Sequence, residues 1–178
     1  MGLKLRMWHK INVDKCRFII YKVNFNLIVM EISKLPLEDS LRKRLIDYCY
    51  PIIGCMHKVH YSLGPGLPEY VYQEALCKKL KSSGYANVAK EYQHHIEFEG
   101  EILESFVRMD LMIPLDKGNV IIECKSISRI TEREQFQTFG YLRATQFPIA
   151  LLVNFGTWPK AQIERYYLDR KSMVIHAF

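Results

Sequence analysis

Apolar and polar positions change period several times along this chain, and each change marks an element. From Leu37, apolar residues recur at Leu41, Leu45, Cys49, Ile52, Ile53, Met56, Val59 and Leu63, the spacing of one helix face, with Glu38, Asp39 and Ser40 at its start. Pro51 lacks the amide that the helix ladder needs and predicts a kink or a division into two helices. The run Leu63-Gly64-Pro65-Gly66-Leu67-Pro68 then turns the chain sharply. A second helix is expected from Pro68 to Lys81, its buried stripe drawn from Tyr70, Val71, Ala75, Leu76 and Leu80, with Gly84 just past its end.

Beyond Gly84 the period falls to two. Val88–Phe98 and Glu101–Ile113 read as strands joined at Glu99-Gly100, and Val120–Cys124 as a third strand reached through the turn Asp116-Lys117-Gly118-Asn119. Together they make an antiparallel meander. Thr131–Gln146 returns to helical spacing and opens on a capping box, Thr131 with Glu134 three residues later. Pro148–Phe155, PIALLVNF, is a continuous apolar run read as a short buried strand, and Ile163–Leu168 is expected as a final strand or edge segment. No internal repeat occurs. The pattern predicts one α/β domain with a mixed sheet over residues 37–178, preceded in it by an added helical segment.

Composition agrees with that class: 178 residues, 49% hydrophobic and 25% charged, suit a globular protein with a sizeable core. Residues 1–36 read as a separate basic extension, an extra strand or a poorly ordered leader, with Met30 as an alternative start of translation. Its apolar run FIIYKVNFNLIVM is interrupted by Lys22, Asn24 and Asn26 and is too short to span a membrane. No small-residue cleavage site marks it as a signal peptide. Five cysteines, at 16, 49, 55, 77 and 124, form no CxxC pair, which points to free thiols in a reducing compartment and a cytoplasmic location. The net charge of +6 is uneven: residues 1–45 hold ten Lys/Arg against four Asp/Glu, and residues 46–178 hold fifteen of each. The basic balance therefore says nothing about the core, though it gives the N-terminal segment a weak electrostatic anchor for phosphate.

The candidate chemistry lies in the meander. Folding about Lys117-Gly118 brings Asp110 opposite the Glu123–Lys125 region, and Glu123 and Lys125, two apart on a strand, share a face. Burying such charges costs several kcal/mol per ion unless they are paired or bind a metal. Carboxylate oxygens suit a hard cation such as Mg²⁺, which binds one or two carboxylates and keeps several waters. A salt-bridged strand pair would leave the same trace in the sequence. His57 and His60, three apart on the first helix, have no carboxylate or cysteine partner and read as ordinary helix-face residues. His94 and His95 are adjacent on a strand, so one faces outward and the two cannot ligate one metal from one face.

These residues, in this order, resemble a known family. Asp110 followed by Glu123-Cys124-Lys125 on the next strand, within helix, three antiparallel strands, helix, strand, is similar to the core of the PD-(D/E)XK nuclease superfamily, with Met109 in place of the proline. LGPGLPEYVYQEAL supplies Gly66, Glu69 and Tyr72 at the spacing of the GxxExxY proteins, a branch of that superfamily, and ALLVNFG resembles that branch's terminal strand. Gln137 and Tyr141 resemble a Q-x-x-x-Y element of its helicase-coupled exonucleases. The likeness covers roughly Ile52–Leu168. It implies a restriction-endonuclease-like fold and a metal-dependent nuclease acting on nucleic acid, DNA foremost. Asp110 and Glu123 would hold Mg²⁺ or Mn²⁺, with the Cys124 backbone carbonyl as a third ligand and Glu69 approaching from the second helix. Lys125 would position the attacking water, and Gln137 and Tyr141 would orient Lys125, waters or the substrate backbone. The alternative is a catalytically silent nucleic-acid-binding or assembly module on the same fold. Oligomeric state is not readable from the sequence.

Overall fold

The structure, a computed structural model, describes residues 37–178 and, ahead of them, only the backbone of two strands, β1 (Cys16–Tyr21) and β2 (Ile28–Ser33). The rest of residues 1–36, expected as an extra strand or a poorly ordered leader, lies outside the described residues. Helix α1 runs over Asp39–Leu63 and α2 over Glu69–Ser82. The strands β3 (Ala89–Phe98), β4 (Glu101–Ile113) and β5 (Val120–Lys125) follow, then α3 (Glu132–Thr145), β6 (Ile149–Asn154), β7 (Gln162–Asp169) and β8 (Val174–Ala177).

Pro51 does not divide α1, which is a single helix of 25 residues. Cys49, Ile52, Cys55 and Met56, all buried, flank the proline and hold the helix against the core through it. The apolar stripe is shifted at two places. Leu63 ends α1 exposed, because Gly64 turns the chain away at φ 67°. In α2 it is Tyr72, Leu76, Cys77 and Leu80 that are buried, while Tyr70 stays exposed. The Tyr72 ring stacks on Phe155 at 4.7 Å between centroids, a flat apolar site that its hydroxyl leaves at the far edge.

The strands form one sheet in the order β1-β2-β8-β7-β6-β5-β4-β3. β3, β4 and β5 are the expected antiparallel meander; α3 then carries the chain over to β6, which pairs with β5 in parallel. Thr131 and Glu134 form the anticipated capping box, the Thr131 amide donating to Glu134 Oε2 at 2.8 Å. The segment expected as a final or edge strand is neither: β7 is internal, paired with β6 on one side and β8 on the other. Its Tyr166 and Leu168 are buried, as an internal strand requires.

Two apolar cores cover the sheet. α1 and α2 pack on one face against Leu111, Ile122, Cys124, Leu151 and Val153, and α3 packs on the other against Ile121, Ala150, Leu152, Tyr166 and Leu168. Every residue of β6 is buried, as its unbroken apolar run demands. The architecture is thus mixed α/β, with helix, three antiparallel strands, helix and strand in the expected order. Cys49, Cys55, Cys77 and Cys124 are free and buried, so they fill apolar space. Among the described residues no helix is long and apolar enough to cross a membrane.

Candidate active site

The ladder between β4 and β5 sets the site. Its pairs are Leu111–Ile122, Met112–Ile121 and Ile113–Val120, so Asp110 lies level with Glu123. Toward its N-terminus β4 continues with β3, pairing Met109, Arg108, Val107 and Phe106, and the space left beside β5 is a cleft of about 500 Å³. All six side chains singled out in the sequence line it: Glu69, Asp110, Glu123, Lys125, Gln137 and Tyr141. Phe106, Val107 and Arg108 complete the wall. Larger grooves of about 890 and 1030 Å³ lie against α1, but neither contains a buried carboxylate.

Asp110 Oδ2 accepts a hydrogen bond from the Cys124 amide at 2.8 Å, which fixes the carboxylate across the strand gap. Glu123 is 2% exposed; its Oε1 accepts from the Lys125 ammonium at 2.7 Å, and its Oε2 is buried with no partner. Glu69, in the first turn of α2, is half-buried, with the Ser126 amide as a donor to its carboxylate. From α3, Gln137 Nε2 donates to the Tyr141 hydroxyl at 2.7 Å. The Cys124 thiol points into the opposite core, as the two-residue alternation of a strand requires.

Burial pushes the Glu123 carboxyl up from its ordinary 4.5 to about 7, the neighbouring Asp110 adds to this, and Lys125 opposes it. Asp110 is raised too, chiefly by burial, against the lowering effect of the Cys124 amide and Lys125. Glu69 is raised by burial, with Lys125 opposing and Asp110 reinforcing. For Lys125 burial works against the charged form, but Glu123, Glu69 and Asp110 outweigh it and lift the pKa above 10.5. The amine therefore holds its proton at neutral pH and acts as a donor. Burial, then Glu123, raises the Tyr141 phenol, which stays protonated as well.

This is an excess of negative charge in a place that disfavours it. Three carboxylates act on one ammonium, and one Glu123 carboxylate oxygen is buried without a partner, which is the donor chemistry of a hard divalent cation. Among the described residues no group of three or more His, Cys, Asp and Glu side chains is arranged to hold a metal by itself. A set of two carboxylates, a backbone carbonyl and water fits Mg²⁺ better than an all-side-chain cage. Among the described residues no histidine lines the cleft: His60 is buried with its Nε2 2.7 Å from the Thr157 carbonyl, His94 is half-buried and His95 is exposed.

Sequence reasoning missed the support around the cluster. Gln73 is buried one turn after Glu69; its Nε2 donates to Glu69 Oε1 at 3.4 Å, and its amide also serves the Asp110 carboxylate. The i, i+4 spacing from Glu69 was the available signal. The Tyr72 hydroxyl donates to the Gly64 carbonyl at 2.6 Å and accepts from the Leu67 amide at 3.1 Å, fixing the loop before Glu69. Ser126 Oγ donates to the Leu67 carbonyl at 2.8 Å, tying that loop to the end of β5. Asn154, fully buried, accepts from the Ile127 amide and donates to the Ile127 carbonyl, so the chain leaving Lys125 is held from β6.

Comparison with curated proteins gives no significant match. Among solved structures, the crystal structure of SSO0001 is similar at 19% sequence identity and a TM-score of 0.44, over 58% of this chain and 53% of that one. The model of the PD-(D/E)XK nuclease superfamily matches residues 46–166, a span that contains all nine residues lining the cleft, and the chain belongs to that superfamily.

Proposed function

We propose that the cleft between β4 and β5 hydrolyses phosphodiester bonds in nucleic acid, DNA first, with the help of a divalent metal. Superfamily membership suggests a metal-dependent nuclease. The observation that carries the residue assignment is the meeting of Asp110, Glu123 and Lys125 on one wall, with Glu123 Oε2 buried and unpartnered. Asp110, Glu123 and the Cys124 carbonyl would hold Mg²⁺ or Mn²⁺, and Glu69 would reach it from α2. Such an ion lowers the pKa of a bound water and neutralises charge on the scissile phosphate.

The chain's own groups do the rest. Lys125, kept protonated by its three carboxylate neighbours, donates to the attacking water or to the phosphate oxygens as charge develops there. Gln137 and Tyr141, linked to each other, present a fixed donor pair over the cleft and orient the water or the substrate backbone. Gln73 keeps the Asp110 and Glu69 carboxylates from turning away. Gly66, Glu69 and Tyr72 support placement in the GxxExxY branch, and the roles of Glu69 in the cleft and Tyr72 in the preceding loop give that spacing a physical reason.

A silent binding or assembly module is the second reading. It is favoured by the close Lys125–Glu123 pair, which occupies one carboxylate oxygen. Incubating the protein with linear, circular and single-stranded DNA and with RNA, in Mg²⁺, Mn²⁺ or EDTA, separates the two. The nuclease reading expects metal-dependent cleavage that Asp110→Asn and Lys125→Ala abolish. Equal cleavage by all three proteins would mean contamination. Metal-independent binding with no cleavage anywhere would establish the module.

A further inference from the structure

We propose that Phe106 is a base-stacking surface of the cleft and that the strand entering it is unpaired there; this rests on the nuclease reading above. Phe106, Arg108 and Asp110 occupy alternate positions on β4 and line the same cleft. At about 3.3 Å per residue, Phe106 sits roughly 13 Å along the strand from Asp110. Its ring meets His95 edge-on at 5.8 Å and remains 47% exposed, so the described residues leave this large apolar surface of the cleft uncovered.

The charges around it select the occupant. Arg108 is the sole Lys or Arg between Glu91 and Asp116, at the root of the β3–β4 hairpin. Glu97, Glu99, Glu101 and Glu104, all exposed, lie along the rest of that hairpin, interspersed with the exposed Phe98, Ile102 and Leu103. A duplex laid along it would bring phosphates against an acidic hairpin, in which Glu97 shares the Phe106 face through the His95–Phe106 and Glu97–Ile102 pairs, and duplex DNA is stiff over about 150 base pairs, so it could not bend away sharply at low cost. An unpaired strand can touch the root alone. There Arg108, more than half exposed and only loosely paired with Glu91 at 3.8 Å, is free to take a phosphate while the neighbouring aromatic ring takes a base. A ring serving only as hairpin filler would give none of the consequences below.

The test is binding of a labelled single-stranded deoxyoligonucleotide and of its duplex, in EDTA, by the full chain and by Phe106→Ala, Phe106→Leu and Phe106→Trp. Ala and Leu should lose roughly 5- to 100-fold in single-strand affinity, the range of one stacked base, with duplex affinity and thermal melting unchanged. Trp should restore binding, and its emission should be quenched by the single strand. Wild-type affinity in the Leu variant, an equal loss on duplex, or no single-strand binding by the wild type would each overturn the inference. If no metal supports wild-type cleavage but the Ala variant still loses the single strand, the catalytic reading fails and the stacking surface stands. Asp110-dependent cleavage with an unchanged strand preference in Phe106→Leu would instead keep the nuclease reading and remove the stacking surface.

Discussion

Glu123 is the residue on which burial and charge conflict most. Its carboxyl titrates near 4.5 in the unfolded chain and at about 7 in the folded one, so the folded state binds the proton more tightly between those values. Stability from this group is present below about pH 4.5 and is lost as pH rises through about 7. In EDTA, Glu123→Gln should therefore melt higher than wild type above about pH 7, by on the order of 1 kcal/mol, or about 2–4 °C for a chain of this size. Mg²⁺ should raise the wild-type melting temperature and leave the variant's unchanged, with wild-type metal affinity growing over the same pH range as the carboxylates ionise. A variant that melts lower at every pH, in a protein indifferent to Mg²⁺, would mark a purely structural ion pair. The charges of this cluster were legible because Asp, Glu and Lys stand out in apolar strands. Gln73 stood out less, since a neutral amide in the run EYVYQEAL carries no such contrast; its spacing of four from Glu69 points to one partner, and only its hydrogen bonds show that it serves two carboxylates.

At the scale of elements, the site depends on where β5 ends. Gly156 packs so closely on the chain leaving β5 that a Cβ there would collide with the Ile127 carbonyl oxygen, a backbone atom with little room to yield. Gly156→Ala should cost about 1–3 kcal/mol in thermal or denaturant melts, and should lower cleavage beyond that by displacing Ser126 and Lys125. Wild-type stability in this variant would show that the two loops are not held together. The meander, the capping box and the buried strand β6 were legible because two-residue alternation, Thr131 with Glu134, and six consecutive buried positions each have a distinct pattern. β8 was not, since four residues, VIHA, are too short for a period to emerge, and without it β7 passed for the end of the sheet. The shift from Tyr70 to Tyr72 has a similar cause: α2 offers two tyrosines, and only the tertiary partner Phe155 selects one.

For the whole molecule, charge and chemistry occupy different parts of the chain. The surplus of +6 sits within residues 1–45, while the cleft is rich in carboxylates. We take residues 1–36 as a basic extension to one nuclease domain over 37–178. Replacing Lys4, Arg6 and Lys10 with Gln should then weaken single-strand binding at low salt and flatten the dependence of log affinity on log salt by about 2, leaving cleavage at saturating substrate unchanged. An unaltered slope would place the phosphate contacts in the domain itself. The order of elements and the six cleft side chains were visible in the sequence because one architecture puts them on adjacent strands and facing helices. The acidic hairpin carrying Phe106 was not, since its meaning depends on lying beside Asp110. The decisive measurement is single-turnover cleavage of single-stranded DNA in Mg²⁺ by the wild-type chain and by folded Glu123→Gln. Wild-type cleavage should be abolished by EDTA and reduced roughly 100-fold or more by the substitution. Equal cleavage by the two proteins, or cleavage that survives EDTA, would mean that the Asp110–Glu123–Lys125 cleft is not a metal-dependent nuclease centre.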